Sequence, residues 1–307
     1  MSNSGVPNHL SLPCLRGEAG DKPGEAEIVR GGTQNIGQAI RDAAEGLAPT
    51  SPTARLDAEL LMAHALGVSR SDMLLRHMRD HVPDTFDTLV ARRAAHEPVA
   101  YITGETEFYG RRFAVSPDVL IPRSDSETLI EAACDVAPGA RTILDLGTGS
   151  GCLLLTVMLE LGASSGVGTD ASAQALVMAQ SNAAALGLGT DRVRFAQRDW
   201  REAGWAERLN TFDLIICNPP YVEDEAPLDR DVRDFEPASA LFSGSEGLDD
   251  YRILFPQLRS LMRPQATVIL EIGHRQAAAV TELAEKAGFA VSLRHDLANR
   301  PRALVLS

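Results

Sequence analysis

The chain has 307 residues, 44% apolar and 23% charged, which is the balance of an ordinary globular protein long enough for one or two domains. Its formal net charge of −13 repels a phosphate backbone, so direct nucleic-acid binding is not expected. The longest apolar runs are too short to cross a bilayer, nothing at the N-terminus reads as a secretory signal, and four scattered cysteines (Cys14, Cys134, Cys152, Cys217) form no C-x-x-C pair, so free thiols in a reducing cytoplasm and no metal site are expected.

Residues 1–31 mix Gly, Pro, Ser and charge without apolar periodicity and read as a disordered tail. Over 32–97 the spacing turns helical. Ile36, Ile40, Ala43, Ala44 and Leu47 recur at the helical period, as do Leu56, Leu60, Leu61 and Leu66, and Gly67 fits a helix stop. Pro49, Pro52 and Pro83 punctuate the segment into a bundle of about four short helices that holds no catalytic constellation. The adjacent Arg92-Arg93 pair reads as a solvated face. Residues 98–122 change character: Phe108, Phe113 and Val115 flank a Gly110-Arg111-Arg112 turn, predicting a β-hairpin linker. Pro122 then precedes a helix through Leu129, Ile130 and Ala133, with Ser124 as its expected cap and Glu127 three residues on.

The remaining domain, 123–307, alternates. Strands are expected at 143–146, 167–170, 193–197, 212–217, 267–272, 290–293 and 303–306, and helices at 152–161, 173–186, 249–262 and 275–287. Such alternation predicts an α/β fold with a doubly wound, mostly parallel sheet. The last two strands, separated by Asn299-Arg300-Pro301, leave no room for a crossover and must run antiparallel.

Two constellations carry chemistry. Asp145-Leu146-Gly147-Thr148-Gly149-Ser150-Gly151 sits where a predicted strand passes into a helix. The glycines allow a tight turn and close approach of a ligand, and Asp170 closes the next strand, where an acid can accept from two ribose hydroxyls. Alone, such a turn also serves simply to pack strand on helix. Asn218-Pro219-Pro220-Tyr221 directly follows the strand 212–217. Pro219 drives Asn218 out of the helical region, and the two prolines have no N–H, so the Asn218 side-chain oxygen and the Pro219 carbonyl form a stiff pair of acceptors. Two fixed acceptors hold an NH₂ group in one orientation, and Tyr221 adds a face on which a planar amide could stack. Alone, the segment also reads as a rigid strand exit with a buried tyrosine. Asp199-Trp200 ends a third strand: Asp199 can accept from an adenine amino group and Trp200 can flank the ring, although a Trp there also serves core packing. The 229–240 loop, with Glu236-Pro237, reads either as a wall of this site or as solvated surface.

With these residues together, the chain resembles the bacterial peptide-chain-release-factor glutamine methyltransferases of the PrmC/HemK type. The likeness lies in Glu97-Pro98-Val99-Ala100-Tyr101-Ile102-Thr103-Gly104, 113–123, the glycine turn, Asn218 to Tyr221, Gly247-Leu248-Asp249 and Glu271-Ile272-Gly273-His274, and it runs from about residue 33 onward. It implies a small helical N-terminal domain, a connecting hairpin and a Rossmann-like class I methyltransferase sheet. It further implies S-adenosyl-L-methionine as cofactor, contacted by Gly147, Thr148, Gly149, Ser150, Gly151, Asp170, Asp199, Trp200 and Asn218. Asn218, Pro219, Pro220 and Tyr221 would take the glutamine of a Gly-Gly-Gln motif in translation release factors, with Asn218 and Pro219 as the catalytic pair. A monomer in the cytoplasm is the expectation. Arg123-Ser124-Asp125-Ser126-Glu127 departs from the family, which has a second proline and a threonine there. The alternatives are an N6-adenine methyltransferase, a ribosomal-protein glutamine methyltransferase, or a non-catalytic nucleoside-binding module.

Overall fold

A computed structural model describes residues 34–307; the expected tail at 1–31 lies outside the described residues. The N-terminal helices are α1 (Ile36–Leu47), α2 (Ala54–Leu66), α3 (Arg70–Asp72) running into a π-helical turn at Met73–His77, α4 (Phe86–Ala94) and α5 (Val99–Thr103). Asn35 caps α1 by accepting from Gln38 N at 3.0 Å, and Gly67 ends α2 in the left-handed conformation. Ile36, Ile40 and Leu47 pack on Leu61, Met62, Met73 and Phe86.

The inner face of α2 differs from the expected one. Leu56 is exposed and Leu60 only half-buried, while Asp57, Ala58 and Leu61 point inward. The reason is an ion pair: Arg93 Nε reaches Asp57 Oδ2 at 2.7 Å, with both residues buried. Arg93 is therefore a core group rather than part of a solvated face, and Arg92 pairs with Glu97 at 2.8 Å.

The expected hairpin linker at 98–122 begins with a helix, since α5 occupies its first residues and Ile102 joins the bundle core. The hairpin itself is β1 (Glu105–Phe108) against β2 (Arg111–Ala114). Its turn is Tyr109-Gly110, with φ of 50° and 71°, rather than Gly110-Arg111-Arg112. A two-residue turn with positive φ at both positions matches the twist of paired strands, which puts Arg111 and Arg112 into β2. Nor does Ser124 cap the next helix. A 3₁₀ turn at Ser124–Ser126 leads into α6 (Glu127–Val136), and the Glu127 carboxylate accepts from Tyr109 N at 2.9 Å instead.

The large domain adds β3 (Thr142–Leu146), α7 (Cys152–Leu161), β4 (Ser165–Asp170), α8 (Ala173–Ala185), β5 (Val193–Gln197) and β6 (Phe212–Cys217). It continues with α9 (Arg230–Phe235), α10 (Asp249–Leu258), β7 (Met262–Glu271), α11 (Ala277–Lys286), β8 (Val291–His295) and β9 (Pro301–Leu306). The seven strands lie in the order β5-β4-β3-β6-β7-β9-β8, parallel except for β9, which runs antiparallel to both neighbours. Alternation along the strands feeds two apolar layers. Ile143, Leu214 and Ile216 meet Leu129, Leu154 and Met158 on one face; Leu144, Leu146 and Ile215 meet Tyr251, Leu254 and Val280 on the other. The order reverses between β3 and β6, so the connections leaving their carboxyl ends part and open a crevice.

Asn182 on α8 ties this crevice to the hairpin. Its Oδ1 accepts from Ala114 N at 2.8 Å, and its Nδ2 donates to Ala114 O at 3.0 Å and to Ser150 O at 2.9 Å. The buried amide thus acts as one more strand partner for β2 while holding the glycine turn. Asn182→Ala strands three backbone groups, one buried and two part-buried, and is expected to lower the unfolding free energy by about 2–4 kcal/mol. Urea denaturation reads this directly; an unchanged midpoint would show the amide to be dispensable.

Candidate active site

Beyond β3 the chain turns over the end of β4, with Gly147 N and Thr148 N both donating to Thr169 O at 2.9 and 2.8 Å. Asp145, at the foot of this turn, is 1% exposed. Its Oδ2 accepts the Thr148 hydroxyl at 2.6 Å, while Oδ1 has no partner among the described residues. Burial pushes its pKa up to about 7, a shift that the Thr148 bond opposes and the nearby Asp170 charge reinforces. Asp170 is itself held in place by Gly149 N on Oδ2 and Ser172 N on Oδ1, both at 2.9 Å. These bonds use two of about four lone-pair directions on the carboxylate and leave the others for a ligand.

The glycines of the turn do different things. At Gly149, with φ of 54°, an added Cβ would meet nothing within 4 Å, so this backbone faces open space. At Gly151 a Cβ would lie 3.1 Å from Leu155 and 3.2 Å from Ala179, so this position is kept small for the packing of α7 on α8.

The turn opens on a cleft of about 300 Å³, within the usual range for a small-molecule site. Of the residues expected there, Gly147, Thr148, Gly149, Ser150, Asp170, Asp199, Trp200, Asn218 and Pro220 line it. Gly151, Pro219 and Tyr221 are not on its wall. The Tyr221 hydroxyl donates to Glu271 Oε1 at 3.0 Å, and its carbonyl accepts from Gln276 Nε2 at 2.9 Å, so the ring is turned toward β7. Burial and the Glu271 charge hold its pKa well above the ordinary tyrosine value, and the phenol stays neutral. Asn218 is half-buried, and its side-chain amide makes no hydrogen bond among the described residues. The cleft face therefore presents an uncommitted amide beside a donor-free stretch of backbone.

The opposite wall is the turn after β5. The Trp200 ring lies against Gly147, 3.1 Å from where a Cβ would sit, and Asp199 Oδ1 accepts from Arg201 N at 2.9 Å. The 229–240 loop is a wall as well: Pro237, Ser239 and Ala240 line the cleft. Glu236 anchors this loop to the connector by accepting from Arg123 and from Ile121 N. Cys152 also borders the cleft, but burial pushes its thiol up to about 12, so it remains a neutral wall group.

Three positioning groups escaped the sequence reading, Asn182, Asp250 and Gln276, and Glu236 was left open between wall and solvated surface. Nothing in spacing separates a buried helix-start acid such as Asp250 from a solvated one. Glu236-Pro237 had offered a signal, because an acid fixed before a proline in a long loop has few backbone options.

Residues 38–104 match the PrmC N-terminal domain, and residues 139–289 match a methyltransferase domain. A release factor glutamine methyltransferase from Cereibacter sphaeroides is 43% identical over 253 residues, covering 80% of this chain and 88% of that protein. Another, from Rhodospirillum rubrum, is 40% identical over 258 residues, covering 82% and 78%. Among solved structures, a ribosomal protein L11 methylase from Lactobacillus delbrueckii subsp. bulgaricus is 23% identical, with a TM-score of 0.45 over 63% of this chain and 83% of its own.

Asp145 gives a pH test of the site. In the folded chain it keeps its proton up to about pH 7, whereas an ordinary aspartate loses it near 3.8. Between those values unfolding releases a proton, so this residue's contribution to stability falls as pH rises and levels off above about 7. Asp145→Asn keeps the shape and cannot titrate. Its stability relative to wild type is expected to climb from about pH 4 to 7 in cofactor-free denaturation series. Parallel curves for the two proteins would contradict the assignment.

Proposed function

The chain belongs to the release factor glutamine methyltransferases, which use S-adenosylmethionine, and from that premise we propose that it methylates the side-chain amide nitrogen of the glutamine in the Gly-Gly-Gln motif of translation release factors. One observation supports this most directly. The uncommitted Asn218 amide and the donor-free Pro220 open on the same cleft as the glycine turn and Asp170, with Pro219 between them in the chain.

The residues present fit the cofactor. Open space beside Gly149 admits a ligand against the backbone, Asp170 suits a ribose diol, and Asp199 and Trp200 suit an adenine edge and face. Gly147, Thr148, Ser150 and Asn218 complete the contacts, with Gly151 acting through helix packing. S-adenosylmethionine supplies a methyl group on a cationic sulfonium, already activated for transfer.

The work left to the protein is orientation, because an amide nitrogen is a poor nucleophile whose lone pair is spread into its carbonyl. Asn218 Oδ1 and the Pro219 carbonyl accept the two N–H bonds of the glutamine amide, which turns its nitrogen toward the cofactor side of the cleft. Alignment of this kind is worth about 7–11 kcal/mol. The same two acceptors favour the positive charge that grows on the nitrogen during transfer. No general base is required, since the N-methylated amide is acidic enough to lose its proton afterward. Tyr221 and Gln276 serve by keeping the turn in place from behind.

The enzyme acts in the cytoplasm as a monomer on a protein partner, and the net charge of −13 favours that over a nucleic acid. No helix among the described residues is long and apolar enough to cross a membrane.

Asn218→Ala is expected to lower turnover on the order of a hundred- to a thousandfold while leaving the melting temperature in place, because the side chain holds nothing together. Wild-type turnover in that variant would refute the mechanism. Labelled cofactor incubated with a purified release factor should label it only while the Gly-Gly-Gln glutamine is present; label that survives its replacement rejects the substrate.

A further inference from the structure

Asp250, in the first turn of α10, has 0% of its surface exposed. A lone carboxylate at such depth would be strongly unfavourable, and its oxygens are saturated instead. Oδ1 accepts from Trp200 Nε1 at 2.7 Å and from Arg201 Nη2 at 2.9 Å. Oδ2 accepts from Arg201 Nη2 at 2.8 Å and from Ser243 Oγ at 2.8 Å. Asp250 N completes the ring by donating to Ser243 Oγ at 2.9 Å.

The donors come from functional segments. Trp200 and Arg201 line the cleft, and Ser243 lies on the segment that pairs with the residue after the Asn218-Pro219-Pro220-Tyr221 turn, through Ser243 N to Val222 O at 2.9 Å. Gln257 of the same helix adds a bond from Nε2 to Trp200 O at 3.3 Å. With Asp199 bonded to Arg201 N, the Asp199-Trp200-Arg201 turn is one rigid piece, and α10 carries its fastening point.

We infer that Asp250 is a positioning residue for the cofactor: it holds the Asp199-Trp200-Arg201 turn as a preformed wall and so sets cofactor affinity without touching the cofactor. This rests on the reading of the cleft as the cofactor site. An ion pair with only its acid buried is weak evidence for a stabilising role, since apolar side chains fill such space as well. An apolar side chain has no means of fixing the rotation of the indole edge. Without the Nε1 bond, the indole is free to leave the face of Gly147, and the ligand must then order it on binding.

The test measures S-adenosylmethionine binding to the full chain by calorimetry, with steady-state constants for both substrates. Asp250→Asn should raise the cofactor Kd and KM about tenfold, the scale of one lost charge-assisted hydrogen bond. The KM for the release factor should stay within about twofold and kcat within about threefold, a split that general destabilisation does not produce. Trp200→Phe keeps a flat face and removes the N–H; it should raise Kd about three- to fivefold, and the double variant should bind no more weakly than Asp250→Asn alone. Unchanged cofactor affinity in folded Trp200→Phe, additive losses in the double variant, or equal rises in both KM values would each overturn the inference. Should Asp250→Asn fail to fold, Trp200→Phe decides alone. Wild-type protein that binds the cofactor and leaves the release factor unmodified would sink the proposed substrate, while the calorimetric comparison still judges Asp250.

Discussion

Everything at the site depends on the parallel pairing of β3 with β6. Leu146 lies opposite Cys217, so the next residues, Gly147 and Asn218, leave the sheet side by side. The register is enforced by burial on both faces: a slip of one residue would carry Leu144 and Leu146 into the layer that receives Ile143, and it would turn Asp145 to the other side. The glycine turn and the Asn218 turn are therefore aligned by the packing of strands whose buried side chains, Asp145 apart, are apolar.

Once the strands end, their loops lose ladder partners, and buried acids replace them. Asp170 gathers the N–H groups of Gly149 and Ser172, Glu236 takes that of Ile121 together with Arg123, and Asp250 joins the turn after β5 to α10. Glu271 holds Tyr221 and is pushed above the usual carboxylate range chiefly by burial. A carboxylate suits this task because it accepts several bonds at once and needs no donor of its own. Part of the acidic excess of the chain is thus internal scaffolding around the cleft rather than surface charge.

Strands were legible because their apolar runs are short and bounded by glycine, proline or acid; the expected 193–197 and 212–217 coincide with β5 and β6. Local signals failed where a distant partner outbid them. Leu56 has the right spacing for a core position, yet Asp57 takes the inner face because Arg93 waits across the bundle. Glu127 follows Ser124 in a capping pattern, yet it serves the backbone of Tyr109. Tyr221 reads as a free face beside Asn218, yet its hydroxyl is tied to Glu271, fifty residues on. The six residues of α9 carry too much charge for any apolar period to announce a helix. In each case the deciding interaction spans a sequence distance that a local pattern cannot carry.

The arm between the two domains is a paired hairpin, and its second strand shares the Asn182 amide with the carbonyl of Ser150. A connector of this kind behaves as a bracket and not as a tether. The helical bundle inherits its bearing from the glycine turn at the head of the cleft, so the angle between bundle and cleft is set from inside the large domain.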